Sequence, residues 1–492
     1  MTILTICYVF IGVIVGLIMG ALPGLTVSMT TVLVVSLTYG WPMTDALAFI
    51  IGAYTGGVMG GSITSIAINI PGTSAAVATA FDGNPLKLKG EADNALNIAL
   101  SGSFFGGIFG LAIMLILGPV IGDLALKFGS QEYFLLTLWG LTLIAILSKG
   151  SNIKGLISCC FGLFIGMIGM DPVLGIYRFT FGTKFLSGGV NFVAAMIGLF
   201  GMKEVIKQLS ESKTFSTGGT TYNIRGLMPR MSLIKKIMPT AIWSAPLGTL
   251  IGILPGTGGD VGCFVAYGVA KQVTKNPTSP FGEGAYEGVA APEVANDSAI
   301  GGALITMLTL GIPGDSVTAI ILGSFYMHGL LPGPTFMLTQ SEFFYIIAGF
   351  LAVGMIMSYV MGIFGSNLIL KAINFPKWFL IPCITILCVV GSFAISNNLN
   401  DVITMLIFGV IGFIFEKANF PISPVVLSII LGPLIETNFR QALINTGGPA
   451  ELLTSFATRP ISLALAVLLV ISVYLQMKIM RTPEKKESQS NE

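Results

Sequence analysis

The chain has 492 residues, 53% apolar and 10% charged, with 25 basic and 23 acidic side chains and a net charge of +2. A soluble chain of this length carries roughly 120 charged residues, so the composition excludes a soluble globular protein, and the near-neutral balance leaves no basic surface for nucleic acid. The single histidine, His328, removes histidine-based zinc centres and triads at every other position, and the six cysteines, none in a C-x-x-C, sit in apolar runs as small hydrophobes.

A bilayer crossing needs about 20 mostly apolar residues. From the N-terminus, apolar stretches lie at Ile3–Met19, Met29–Tyr39, Ala46–Ile70, Ala95–Val120, Tyr133–Leu147, Ile157–Met170 and Phe192–Ile206. After the middle come Ile237–Leu254, Val261–Val273, Ala299–Leu322, Phe343–Leu370, Phe379–Ala394, Val402–Phe415, Pro424–Leu434 and Ile461–Ile479. Several are too short to cross alone, and those beside Pro-Gly pairs read as broken or re-entrant helices, which predicts about 10 to 12 true crossings in an all-α integral membrane protein. The first charged side chain is Asp45, so the first stretch lacks a signal-peptide charge pattern and is kept as a helix. Lys203–Lys236 holds Lys203, Lys207, Lys213, Arg225, Arg230, Lys235 and Lys236 against Glu204 and Glu211, and the tail adds Lys478, Arg481, Lys485 and Lys486. The positive-inside rule puts both in the cytoplasm. The organisation expected is a first transmembrane repeat over 1–202, a basic linker over 203–236, a second repeat over 237–459, and a last helix and tail over 460–492.

Two motifs recur in the same order. Gly16-Leu-Ile-Met-Gly20-Ala-Leu22-Pro23-Gly24 returns as Gly248-Thr-Leu-Ile-Gly252-Ile-Leu254-Pro255-Gly256, and Gly60-Gly61 … Ile70-Pro71-Gly72 returns as Gly301-Gly302 … Ile312-Pro313-Gly314. The extra residues of the second copy fall near Lys275–Glu293, which reads as a loop insertion with Glu283, Glu287 and Glu293 solvated. Matched Gly/Pro interruptions in two halves point to a secondary transporter's binding site, and the copies are inverted if the first half crosses an odd number of times.

Proline removes a backbone donor and glycine permits positive φ, so Pro23-Gly24, Pro71-Gly72, Pro255-Gly256 and Pro313-Gly314 each break a helix. Thr73-Ser74 and Asp315-Ser316 then suit the N-caps of following half-helices, whose free N–H groups favour an anion at mid-membrane. Capping alone would explain the same residues. On the binding reading, Gly72 and Gly314 are tips standing in a cavity, and Asn69, Pro71, Gly72, Thr73, Ser74, Asn296, Pro313, Gly314 and Ser316 form the substrate site. Carboxylates are costly in a bilayer and face cavities or coupling ions, which singles out Asp297 and Asp315 for ion coupling, with Asp260 as a further candidate. His328 reads as structural.

Ala291-Pro-Glu293-Val-Ala-Asn296-Asp-Ser-Ala-Ile-Gly301-Gly302, running on to Leu310-Gly-Ile-Pro313-Gly314 and His328-Gly-Leu-Leu-Pro-Gly-Pro334, closely resembles the large membrane subunit (TctA-like) of the tripartite tricarboxylate transporter family. So do Gly60-Gly61-Ser62, Asn69-Ile-Pro71-Gly72-Thr73, Asp82-Gly83-Asn-Pro85 and Arg459-Pro460. The chain departs from that pattern at Asp297-Ser298, where a second asparagine and an alanine are common, and at Thr306, where proline is expected. The resemblance implies a multi-pass protein of the bacterial inner membrane without a cofactor. It would import citrate-like tricarboxylates or related dicarboxylates by symport with Na+ or H+, working with a small membrane subunit and a periplasmic solute-binding protein. Two other readings are a passive anion channel and a membrane-embedded enzyme. An intramembrane aspartyl protease would need G-x-G-D, but Thr257 stands three before Asp260, and no G-x-x-x-x-G-K-[ST] loop for a nucleotide occurs.

Overall fold

The computed structural model describes residues 2–22, 24–147, 152–171, 173–210, 229–372 and 377–481. In the first half, helices α1 (Ile3–Ala21), α2 (Val27–Leu37), α3 (Met43–Ile68), α4 (Ala76–Leu88), α5 (Ala92–Ala125), α6 (Ser130–Leu147) and α7 (Asn152–Gly166) follow one another. A short α8 (Lys184–Ser187) precedes α9 (Phe192–Met196), a π-helical stretch Ile197–Met202 and α10 (Lys203–Ser210). The second half holds α11 (Met231–Ile253), α12 (Gly258–Val273), α13 (Tyr286–Leu310), α14 (Ser316–Met327), α15 (Phe336–Thr339) and α16 (Ser341–Ala372), then α17 (Lys377–Ser396), α18 (Leu399–Lys417), α19 (Ile422–Thr446), α20 (Pro449–Thr458) and α21 (Pro460–Arg481). Among the described residues the strands are two, Gly169–Met170 and Tyr177–Arg178, paired antiparallel as a hairpin before α8.

Glycines at four-residue intervals decide how closely the helices approach. Gly12, Gly16 and Gly20 of α1 rest on the backbone of Phe49, Ala53 and Gly57 of α3, while Gly52, Gly56 and Gly60 of α3 rest on Val9, Val13 and Leu17. A methyl group at any of these would overlap a carbonyl oxygen, and such small-residue contacts are how helices associate where lipid removes the hydrophobic drive. The arrangement recurs between α11 and α13, with Gly248 on Ala295 and Gly252 on Ala299. The breaks match as well. α3 ends on left-handed Asn69 at φ 57° and α13 on left-handed Gly311 at φ 70°, and the first turns place Gly24 at φ 90° and Gly256 at φ 77°.

Among the described residues, seven helices are long and apolar enough to cross a membrane, or eight if α20 and α21, bent by 97° at Arg459, form one span. Two further elements counted among the expected 10 to 12 crossings do not meet that criterion. α13 is 25 residues long, about 37 Å at 1.5 Å per residue, but it carries Glu287, Glu293 and Asp297 and is buried from Glu287 to Thr309; a helix enclosed by protein needs no apolar exterior. Phe192–Ser210 is continuous helix but is divided by its π-helical turn. Both ends of the expected linker 203–236 carry helix. Lys203–Ser210 and the stretch from Met231 are helical, Lys203 and Glu204 are buried, and residues 211–228 lie outside the described residues, as does the tail from 482.

Candidate functional site

A cavity of about 760 Å³ lies where the two Pro-Gly breaks meet. Thr73, Ser74 and Ala75 line it from the first break and Asp315, Ser316 and Val317 from the second. Gly256, Thr257, Gly259 and Asp260 contribute the turn into α12, Asn296 and Ile300 the middle of α13, and Tyr54, Phe200, Lys203 and Glu416 complete the charged and aromatic wall. Phe200 belongs to the π-helical stretch, a distortion that often marks functional positions. The Lys203 ammonium pairs with the Glu416 carboxylate, which Lys207 also reaches at 2.5 Å.

The second half-helix is capped as its sequence predicts. Asp315 is extended, its Oδ1 accepts the Thr318 N–H at 2.7 Å, its own N–H donates to the Thr318 hydroxyl at 2.9 Å, and its Oδ2 accepts the Tyr54 hydroxyl at 2.9 Å. This is a reciprocal capping box. The first half-helix differs: the cap position of α4 is Ala75, which offers no side-chain cap, and Thr73 Oγ1 instead accepts the Ala76 N–H at 3.3 Å. The capping bond expected of Thr73-Ser74 is thus made by Thr73, two residues before the cap position.

Of the positions singled out by sequence, Thr73, Ser74, Gly256, Asp260, Asn296, Asp315 and Ser316 share this cavity. Asn69 is exposed at the end of α3 and lies outside the lining, as do Pro71 and Pro313. Gly72 and Gly314 are buried, contrary to the expectation of free tips: a Cβ on Gly72 would strike the Gly20 carbonyl oxygen, and one on Gly314 would lie 2.6 Å from the Gly252 carbonyl oxygen and 2.7 Å from Ala303. Each break therefore presses on the Gly-x-x-x-Gly helix of its own half. Pro255 packs against Gly140, Gly24 sits beside Glu204, and Pro23 lies outside the described residues. Asp297 is fully buried behind Asn296. His328 ends α14 with its Nδ1 on the Ser324 carbonyl at 2.7 Å, a structural contact.

Four carboxylates escaped the sequence reading as structural or site groups. Glu293 was expected in a solvated loop, but α13 begins at Tyr286, and Glu293 is 1% exposed, accepting the hydroxyls of Ser62 and Ser103 at 2.8 Å and that of Thr79. Glu287 likewise belongs to the helix and accepts the Thr278 hydroxyl at 2.9 Å. Asp82 is fully buried. Its Oδ1 gathers the N–H groups of Gly282, Gly284 and Ala285 at 2.7–2.9 Å, and its Oδ2 accepts the Tyr267 hydroxyl, so α4 fixes the approach to α13. Glu132 does the same for the 97° bend, accepting Arg459 Nε at 2.8 Å and the Ser462 hydroxyl. The available signal was an acid inside an apolar helix without a basic neighbour, a costly placement unless hydrogen-bonded.

The Tripartite tricarboxylate transporter TctA family matches residues 6–427. An uncharacterized 52.8 kDa protein from the TAR-I ttuC' 3' region of Agrobacterium vitis is 34% identical over 465 residues, 94% of this chain and 91% of its own length. An uncharacterized protein from the TAR-II ttuC' 3' region of the same organism is 36% identical over 230 residues, 47% of this chain and 93% of its own length. No solved structure matches.

Proposed function

Since the chain belongs to the tripartite tricarboxylate transporter TctA family, a family of transporter subunits and not of enzymes, we propose that it imports a small organic carboxylate by symport with Na+ or H+ across a bacterial inner membrane. The substrate is a tricarboxylate such as citrate or a related dicarboxylate. A periplasmic solute-binding protein delivers it, and a small membrane subunit completes the transporter. The two halves act as inverted repeats.

The observation that carries this reading is the meeting of two Pro-Gly breaks, one from each half, at a single polar cavity. Half-helix N-termini of α4 and α14 supply partial positive charge there, and Ser74, Ser316 and Asn296 supply neutral donors suited to carboxylate oxygens. Asp260 and Asp315 in the lining disfavour a free anion, which favours a co-transported cation over passive anion conduction. Symport is tested by counterflow and uptake of labelled di- and tricarboxylates in proteoliposomes, with and without the solute-binding protein. Accumulation that collapses with the proton or sodium gradient is expected. Uptake that survives collapse of both gradients would replace the symporter by a channel, and loss only on ATP depletion would replace it by an ATP-driven pump.

A further inference from the structure

We propose that Glu293 and Asp297, with the hydroxyls of Ser62, Thr79 and Ser103, form a buried sodium site behind the cavity. The proposal deepens the symport reading and rests on it. Glu293 and Asp297 are 1% and 0% exposed and lie four residues apart on α13, so they share one face of the helix. The three hydroxyls, one each from α3, α4 and α5, all donate to Glu293. Three donors favour the ionised form of Glu293, and each hydroxyl that has spent its proton on it still offers a lone pair.

Asp297 has no such relief. Neither of its oxygens makes a hydrogen bond of good geometry among the described residues, although the Ser103 hydroxyl, which donates to Glu293, and Glu293 itself stand near enough to interact with it. No basic side chain among the described residues pairs with either acid; the ion pairs of the molecule lie elsewhere. The Ser103 hydroxyl, whose proton goes to Glu293, keeps a lone pair beside Asp297 that can hold a cation there. Two adjacent buried carboxylates without countercharge are strongly unfavourable. Because three donors already compensate Glu293, one uncompensated charge remains, on Asp297, and it calls for one positive charge. A monovalent cation with oxygen preference fits that balance and the all-oxygen donor set.

The position is also one from which occupancy is felt in the cavity. Asn296 and Ile300 of the same helix line it, and Thr79 belongs to α4, whose first turn follows the cavity residues Thr73–Ala75. At the 241-residue offset of the repeat, α3 carries Gly52 and Gly56 packed on the α1 backbone, so the acid pair exists in one half only.

The full-length protein in detergent, without carboxylate, is titrated with NaCl against choline chloride at constant ionic strength, reading the unfolding midpoint and 22Na+ binding. A ligand that binds only the folded state raises the midpoint saturably. We expect a Na+-specific rise in the wild type, its loss in Asp297→Asn, and a half-saturating concentration raised by about tenfold or more in Ser103→Ala, as for removal of a group that holds a metal's ligand in place. An absent Na+ response in the wild type, or unchanged binding in both variants, overturns the site. If Asp297→Asn does not fold, Ser103→Ala decides alone. Since no transport is measured, gradient-driven uptake without Na+ binding here would fell this site and leave symport standing, whereas Na+ binding with uptake indifferent to gradients would do the reverse.

Discussion

Gly72 and Gly314 show how a residue legible in the sequence can be read for the wrong reason. Their recurrence beside proline is plain from the chain, but their neighbours, the carbonyl oxygens of Gly20 and Gly252, lie some fifty to sixty residues away and emerge only when α1 packs on α3 and α11 on α13. The consequence for mutation changes accordingly. An alanine at either site pushes a methyl group into backbone that cannot retreat, and overpacking of this kind costs about 1–3 kcal/mol. We expect Gly72→Ala and Gly314→Ala each to lower the unfolding midpoint of the purified protein before any effect on binding is considered. Wild-type stability with lost uptake would instead return both glycines to the role of ligand-facing tips. Asp315 was readable because a cap depends on its own neighbours, Thr318 above all; Asp82 and Glu293 were not, since their partners come from other helices.

At the level of elements, the hairpin Gly169–Arg178 is a local structure fixed by charge. Asp171 is 1% exposed and accepts the backbone N–H groups of Val173 and Leu174 at 2.8 and 2.9 Å. Arg178 and Arg440 face it at 3.3 and 2.8 Å, and both arginines also pair with Glu436 of α19. The Leu174 N–H foremost, then that of Val173 and the two guanidinium groups, outweigh burial and hold the Asp171 carboxyl below its ordinary range. A depressed folded-state pKa stabilises above the unfolded value, about 3.9, and that contribution is lost as pH falls through the folded value. Protection against hydrogen exchange across the hairpin, relative to the intrinsic rate at each pH, should therefore fall more in the wild type than in Asp171→Asn between about pH 6 and pH 3; parallel profiles would remove Asp171 from the role. The apolar stretches gave the sequence reading most helices to within a few residues. It misplaced elements where polarity is internal, as in α13, or where a span is assembled from pieces, as in Phe192–Ser210.

For the whole molecule, the decisive quantity is which side of the membrane each connection faces, because inversion of the two halves depends on it. Helix Phe192–Ser210 has 19 residues, about 28 Å at 1.5 Å per residue, enough to cross the roughly 30 Å hydrocarbon core only if it runs near the membrane normal. Its two ends then open on opposite sides, with the hairpin and α8 before it and the basic stretch after it. By the positive-inside rule, the excess of Lys and Arg in that stretch and in the tail leads us to expect both on the cytoplasmic side. With the exposed thiols Cys7 and Cys160 first replaced by serine, single cysteines at Ser216 and Ser490 are expected to react only from the cytoplasmic face, and one at Thr183 only from the periplasmic face. Labelling of Thr183 and Ser216 from the same side would make Phe192–Ser210 a re-entrant element. That outcome would change the parity of crossings in the first half, on which the inversion of two halves built from the same Gly-x-x-x-Gly and Pro-Gly contacts depends.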